Sequence, residues 1–153
     1  MAYTICLAVE RHLAAVEEIE HACFSLPWTH EQFLPFLSGA HHRMLVAEDE
    51  QNRVLGFLCL MHVLDEGEIA NVAVSPAHRR LGVADALMEG ALRAAQELGL
   101  AYLGLEVRES NLPAISLYHK YGFVPVGRRR HYYDAPREDA ILMSKKWETR
   151  QIT

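Results

Sequence analysis

The sequence lacks any apolar run of the length that a membrane-spanning helix requires. Such a helix needs about 20 consecutive apolar residues, whereas polar or charged residues interrupt every apolar segment of this chain well before that length. The N-terminal residues also lack the basic segment followed by an apolar segment that marks a secretory signal. These two absences predict a cytoplasmic protein that makes no contact with a membrane.

Cysteine is scarce, and its spacing argues against both a disulfide framework and a zinc site. Cys6, Cys23 and Cys59 are widely separated and odd in number, so we expect reduced thiols inside the fold. Histidine is more abundant, with nine residues, but no pair at helical i, i+4 spacing is joined by a nearby third ligand. We therefore predict that the protein binds no metal ion.

An excess of positive charge is also missing. The formal net charge is -5, which argues against a general nucleic-acid surface and mildly favours a cationic partner. The one basic run, Arg128-Arg129-Arg130, is typical of a solvated edge strand. We expect it to form a structural ion pair with Glu138 or Asp139.

What the chain does contain is the composition of one globular domain. It has 153 residues, of which 50% are hydrophobic and 23% are charged, and a chain of that size can bury a full hydrophobic core. No repeat, low-complexity segment or linker divides it. We predict a single domain over residues 1–153, and a monomer.

Hydrophobic periodicity predicts strands and helices that alternate along the whole chain. The capping-box pattern from Thr29 to Gln32 begins a short helix with Phe33, Leu34 and Leu37 on its buried side. Strands are predicted at residues 3–9, 43–48, 54–63, 69–74, 103–107, 124–130 and 140–145, and the other helices at 15–23, 83–98 and 112–121. This order predicts an α/β fold in which helices flank one mixed sheet.

The segment between the strand at 69–74 and the helix at 83–98 has the composition of an anion-binding loop. A loop rich in arginine and glycine at this place presents unpaired backbone N–H groups at the positive end of a helix dipole. A helix start with solvated arginines is the plainer interpretation, but Gly82 argues against it, because glycine destabilises a helix by about 0.5–1 kcal/mol. The segment reads Arg79-Arg80-Leu81-Gly82-Val83-Ala84. We predict that it binds a pyrophosphate group.

Two ionisable side chains follow this loop in the sequence, and each can have either a structural role in packing or a chemical role in a functional site. Glu106 stands between Leu105 and Val107 in an apolar strand, so its carboxylate lies either at the exposed end of that strand or in a functional cleft. Tyr118 is either a core aromatic with its hydroxyl at the rim or a proton donor. Asn111 is suited to cap the helix that carries Tyr118. The residues alone leave these alternatives open.

The order and spacing of these motifs resemble the GNAT family of N-acetyltransferases over nearly the whole chain. The loop at 79–84 is similar to the family's Q/R-x-x-G-x-G/A motif, with Ala84 where many members have glycine. Asn111, Tyr118 and the run Tyr121-Gly122-Phe123 then follow in the family's order. Residues 26–28, 64–66, 105–108, 129–133 and 137–140 resemble the RimI type, the bacterial members that acetylate a protein N-terminus.

This resemblance implies an enzyme that takes its acetyl group from acetyl-CoA. It also implies a central mixed, mostly antiparallel sheet whose two central parallel strands splay apart. Glu106 matches the family's general base and Tyr118 its general acid. The residues implied to hold the cofactor are Val72, Ala73, Val74, Arg79, Arg80, Leu81, Gly82, Val83, Ala84 and Asn111.

The resemblance also implies the acceptor, which is the N-terminal α-amino group of a protein, in particular the N-terminal alanine of a small-subunit ribosomal protein. The side chains implied to surround it are Trp28, Asp65, Glu66, Tyr132 and Tyr133. From charge alone, Asp65 and Glu66 are better explained as a solvated turn. Two alternatives stay open: an enzyme that acetylates a lysine side chain or a small amine, and a non-catalytic module that senses acetyl-CoA.

Overall fold

A seven-stranded sheet forms the centre of the computed structural model, which describes residues 2–147. The strands are β1 (Tyr3–Leu7), β2 (His42–Asp49), β3 (Val54–Val63), β4 (Glu66–Val74), β5 (Tyr102–Arg108), β6 (Val124–Tyr133) and β7 (Glu138–Lys146). Their order across the sheet is β1-β2-β3-β4-β5-β7-β6. Only β4 and β5 are parallel neighbours, and the other pairs are antiparallel. The predicted α/β fold with a mixed, mostly antiparallel sheet is confirmed.

Four helices flank this sheet: α1 (Leu13–Cys23), α2 (His30–Phe33), α3 (Val83–Glu97) and α4 (Leu112–Lys120). None of the helices in residues 2–147 is long and apolar enough to cross a membrane. The single-domain prediction covers residues 1–153, of which 1 and 148–153 lie outside the described residues, and it stays a prediction.

The capping box before α2 is present as the sequence predicts. The Gln32 N–H donates to Thr29 Oγ1 over 3.3 Å, and the Thr29 N–H donates to Gln32 Oε1 over 2.8 Å. The predicted burial of Leu34 is wrong, since Leu34 is exposed and Phe36 is buried in its place. After Phe33 the chain continues as a tighter 3₁₀ turn, Leu34–Leu37, and its three-residue period turns Phe36 to the same side as Phe33.

Two strand boundaries differ from the sequence-based expectation because turns intervene. The first strand ends at Leu7 rather than at Val9, since Glu10–His12 forms a 3₁₀ turn ahead of α1. β4 begins at Glu66, three residues before the predicted start, because a tight turn with Leu64 at φ 54° returns the chain at once from β3.

The sheet separates two hydrophobic clusters. One lies under α3 and α4 and contains Leu87, Met88 and Phe123, and the other lies under α1 and α2 and contains Val16 and Phe33. All five side chains are essentially inaccessible to solvent. Each contributes about 1.5–3 kcal/mol by leaving water, so the faces of β4 and β5 are held between two packed layers.

The two central strands part halfway along their length. β4 pairs with β5 only from Glu66–Ile69, against Tyr102–Leu105, and beyond that point β4 pairs with β3 alone. The register between β3 and β4 shifts at Ala70, which is an extra residue in β4. Such a bulge bends a strand and increases its twist. The result is a gap between β4 and β5, and the predicted splay of the parallel strands is confirmed.

Candidate active site

The loop at 79–84 has the geometry of an anion-binding turn. Arg80 and Gly82 both adopt the left-handed conformation, at φ 66° and φ 76°. Within the described part of the chain, the N–H groups of residues 79–84 donate to no acceptor, whereas the N–H of Ala86 donates to the Gly82 carbonyl over 3.0 Å. A Cβ atom on residue 82 would meet only the Tyr3 hydroxyl, at 3.4 Å. An anion can therefore approach a row of unpaired donors at the start of α3.

The gap between β4 and β5 opens into a cavity of about 610 Å³. Its walls are the α1–α2 loop, the bulged part of β4, the end of β5, the start of α4 and the β6–β7 hairpin. Of the residues proposed from the sequence, those that line it are Trp28, Val72, Glu106, Asn111, Tyr118, Tyr132 and Tyr133. The fold therefore brings together residues that are up to 105 positions apart (133 − 28).

Glu106 lies at the rim of this cavity, on the face of β5 opposite to the buried Leu105 and Val107. Its side chain is 19% exposed, and its Oε1 accepts a hydrogen bond from Arg129 Nε over 3.0 Å. Hydrogen bonding to Glu106 raises the pKa of Tyr132, because an ionised phenol would place a second negative charge beside the carboxylate. Glu106 is thus a half-buried carboxylate whose partners are on β6.

A second cavity, of about 420 Å³, continues on the other side of Glu106. Glu66, Glu68 and Arg129 are among its lining residues. Burial, followed by the charge of Glu106, raises the pKa of Glu68. The two cavities share Leu105 and Glu106, so the carboxylate of Glu106 is reachable from both.

Tyr118 projects from α4 and is 5% exposed, with its ring 6.1 Å from that of Phe123. Its hydroxyl forms no hydrogen bond with the described residues. Burial raises the pKa of this phenol above its ordinary value, because the phenolate would lose hydration. The side chain is therefore a neutral O–H donor at neutral pH.

Asn111 caps α4 in the manner that the sequence predicts. Its Oδ1 accepts the N–H of Ala114 over 3.3 Å, and Pro113 occupies the first turn. The side chain also lines the larger cavity. On β4, Val72 lines that cavity, whereas Ala73 belongs to the cluster under α1 and the Val74 carbonyl accepts a hydrogen bond from the Cys23 thiol over 3.4 Å.

The predicted acceptor residues separate into two groups. Trp28, Tyr132 and Tyr133 line the larger cavity, whereas Glu66 lines the smaller one. Asp65 lines neither, and its main-chain carbonyl accepts the N–H groups of Ala101 and Tyr102 at 2.7 and 3.2 Å. Asp65 therefore belongs to the turn between β3 and β4, and its carbonyl ties that turn to the start of β5.

The β6–β7 hairpin is held over the cavity by Arg108. The guanidinium donates to the carbonyls of Asp134 and Pro136, both over 2.8 Å, and lies 4.5 Å from the centre of the Tyr133 ring. Burial raises the pKa of Tyr133 to about 12. On the opposite wall, the Ser25 hydroxyl donates to the Ala135 carbonyl, so the two loops meet above the cavity.

The basic run on β6 has one predicted partner and one unexpected one. Arg128 pairs with Asp139 over 2.8 Å, which confirms the expected ion pair. Arg129 instead contacts Glu106, and no pattern in the sequence indicates that contact. Glu20, which also lines the cavity, was missed as well, although a carboxylate four residues after the buried Val16 shares its helix face.

One cluster outside the cavity has the residue types of a metal site. The possible ligand atoms of Cys6, His12 and Glu48 lie within 4.8 Å of one another. The His12 ring hydrogen-bonds to Glu48, and Arg11 pairs with the same carboxylate over 2.9 Å. Both oxygens of the Glu48 carboxylate are therefore already occupied by partners in the protein. That the protein binds no metal stays a prediction.

Comparison with known proteins decides the family. The family model described as the acetyltransferase (GNAT) family matches residues 13–123. This chain belongs to the GNAT acetyltransferase family. The [ribosomal protein bS18]-alanine N-acetyltransferase of Escherichia coli K12 is 38% identical over 135 residues, which are 86% of this chain and 89% of that protein. The enzyme of that name from Haemophilus influenzae is 35% identical over 131 residues, covering 83% and 87%.

Solved structures share the whole fold. The ribosomal-protein-S18-alanine N-acetyltransferase from Escherichia coli has a TM-score of 0.90 at 31% identity, and the match covers 99% of both chains. Ard1 from Thermoplasma volcanium has a TM-score of 0.88 at 27% identity, covering 97% of this chain and 100% of that one. The chain is an acetyl-CoA-dependent N-acetyltransferase. The unpaired N–H groups at 79–84 and the gap beside β4 suit a pyrophosphate joined to a narrow chain.

Proposed function

We propose that this GNAT acetyltransferase acetylates the N-terminal α-amino group of a protein, with the N-terminal alanine of a ribosomal protein as its acceptor. The observation that carries the proposal is that Glu106 on β5 and Tyr118 on α4 line one cavity, which opens between two loops. The names of the relatives from Escherichia coli and Haemophilus influenzae support this acceptor. We also propose that the enzyme acts in the cytoplasm, as a monomer and without direct contact with nucleic acid.

Glu106 is the proposed general base. An α-amino group has a pKa of about 7.7–8.0, so much of it is protonated at neutral pH and must lose a proton before it attacks. The Arg129 guanidinium is a cation already bound at this carboxylate, and the Arg129 side chain is 56% exposed. The acceptor ammonium can therefore replace the guanidinium, after which Glu106 takes one of its protons.

Tyr118 is the proposed general acid. When the new C–N bond forms and the C–S bond breaks, the departing thiolate needs a proton, and a thiol has a pKa of about 8.5. The buried, neutral hydroxyl of Tyr118 has no other partner among the described residues, and so it can donate to that sulfur. A β4 N–H group in the gap polarises the reacting carbonyl, while the loop at 79–84 holds the pyrophosphate.

The proposal is tested by offering acetyl-CoA and two peptides of the same sequence. One peptide begins with a free alanine, and the other has a blocked N-terminus but keeps an internal lysine. We expect acetylation of the free N-terminus only, located by fragmentation in the mass spectrometer. Acetylation confined to the lysine, or absent from both peptides, would overturn the proposed acceptor.

A further inference from the structure

Glu20 is a fully buried carboxylate in the wall of the larger cavity. It is 1% exposed, and none of the ion pairs formed by residues 2–147 includes it. A buried charge is costly unless hydrogen bonds compensate it. Here Oε2 accepts the N–H of Trp28 and Oε1 accepts Nδ2 of Asn71, each over 2.8 Å. Both carboxylate oxygens are therefore occupied.

The two partners of Glu20 belong to opposite walls of the reaction space. The Trp28 N–H is part of the loop between α1 and α2, while Asn71 follows the bulge at Ala70, where β4 leaves β5. Asn71 lines the cavity together with Glu106 and Tyr118. The carboxylate of Glu20 thus connects the loop between α1 and α2, which lies on the acceptor side of the cavity, to β4, the strand that borders the gap.

This contact also fixes which end of the Asn71 amide faces the cavity. A carboxylate has only acceptor atoms, so Asn71 must direct its NH₂ group toward Glu20. Its Oδ1 accepts no hydrogen bond from the described residues. Burial raises the pKa of Glu20, while the hydrogen bonds from Trp28 and Asn71 oppose that shift and favour the ionised, acceptor-only form.

We propose that Asn71 binds the acceptor, offering its side-chain carbonyl to an N–H donor of the incoming amine, and that Glu20 is the positioning residue that fixes this orientation. The inference rests on the proposed function in that the larger cavity receives the acceptor. With its NH₂ group held by Glu20, the Asn71 amide presents Oδ1 to the cavity and so favours a hydrogen-bond donor there. An amine nucleophile carries N–H donors in both its charged and its neutral form.

Glu20→Gln provides a selective perturbation. The new side chain can still accept the Trp28 N–H through its Oε1, but its other end is now a donor. Asn71 must then turn its Oδ1 toward residue 20 and its NH₂ group toward the cavity. The fold keeps both hydrogen bonds, whereas the acceptor meets a donor in place of a carbonyl. We expect the KM for the acceptor to rise by about tenfold or more.

Asn71→Asp in the Glu20→Gln background should reverse this defect. The carboxylate at position 71 accepts the amide donor at position 20 and presents its second oxygen to the cavity, so the buried charge is kept and only moved. We expect the acceptor KM to return to within about threefold of the wild-type value. A purely structural role for Glu20 predicts no such pattern, because Glu20→Gln alone keeps both contacts.

The experiment measures kcat and both KM values for the wild type, Glu20→Gln, the double variant, and Glu18→Gln as a control on the exposed face of α1. The KM for acetyl-CoA should stay within about twofold throughout, since the donor loop lies elsewhere. A wild-type acceptor KM in Glu20→Gln overturns the inference, and so does a double variant that folds without recovery. The kinetics use whichever amine the wild type acetylates, so this test remains valid even if the acceptor is not a protein N-terminus.

Discussion

Gly82→Val should weaken the binding of acetyl-CoA while the fold survives, and the chain contains a control for it. Gly82 stands before α3 at φ 76°, and Gly99 stands after the same helix at φ 70°. A Cβ atom at Gly99 would meet no atom within 4 Å, and one at Gly82 would meet only the Tyr3 hydroxyl at 3.4 Å. Both sites therefore impose the same backbone strain at opposite ends of one helix.

The size of that strain sets the expected loss of stability. A left-handed conformation costs an L-residue about 1–2 kcal/mol. For a chain of this length, such a loss lowers the melting temperature by about 2–8 °C. Gly82→Val and Gly99→Val should match in this respect, because neither new Cβ atom meets another atom closer than 3.4 Å.

Binding should separate the two variants. The strain at residue 82 moves the backbone whose N–H groups face the anion, and each charge-assisted hydrogen bond contributes about 1.5–3 kcal/mol. Losing one raises the Kd for acetyl-CoA at least about tenfold. Isothermal titration calorimetry on both folded variants measures this. Equal Kd values for Gly82→Val, Gly99→Val and the wild type would refute the assignment of the loop at 79–84.

Two further predictions concern pH. Glu106→Gln should lose about 10²–10⁴-fold in kcat/KM at neutral pH and recover as the pH rises, because the amine then deprotonates unaided. The similar loss in Tyr118→Phe should persist at high pH. Parallel pH profiles for the two variants would contradict these roles. Burial alone would raise the pKa of Asp49, but hydrogen bonds from main-chain N–H groups and from the Arg53 guanidinium outweigh burial and lower that pKa. Asp49 therefore stabilises the fold above its unfolded pKa of about 3.9, and this contribution is lost as the pH falls through the folded pKa. The difference in unfolding free energy between the wild type and Asp49→Asn should therefore shrink below about pH 4 in urea titrations; a constant difference would contradict it.

The sequence predicts those parts of the molecule that local patterns determine. The apolar stripe of α3 and its terminal glycine predict a helix at 83–98, and the structure has Val83–Glu97. The capping box at Thr29 and the cap at Asn111 are likewise local, since each joins residues three positions apart. The splayed strands follow from the family resemblance, because the bulge at Ala70 has no mark in the sequence.

The contacts that tune the site are long-range, and the sequence does not predict them. Arg129 and Glu106 are 23 positions apart and Asn71 and Glu20 are 51 apart, so their meeting depends on how whole strands and helices pack. A register shift between β6 and β7 after Arg129 also changes which side chains face Glu106. The arginine run is exposed on the edge strand β6 as expected, and only the contact between Arg129 and Glu106 was not predicted.

The position of the gap within the sheet predicts that both substrates are bound at the same time. Leu105 and Val107 face the layer of α3 and α4, and Tyr118 belongs to that layer, whereas Glu106 faces the other side of β5. We expect the acceptor amine to approach the acetyl group from the side of Glu106 and to attack it directly, so both substrates must be bound before either product leaves.

Initial-rate kinetics test this sequential mechanism. Double-reciprocal plots at several fixed acetyl-CoA concentrations should intersect, because a ternary complex forms. A covalent acetyl-enzyme would give parallel lines instead, and among the described cysteines only Cys23 lines the cavity to serve as its nucleophile. The Cys23 thiol donates to the Val74 carbonyl, and its sulfur accepts a hydrogen bond from Arg79 Nη2 over 3.6 Å. Parallel lines in the wild type together with an inactive Cys23→Ser variant would refute direct transfer.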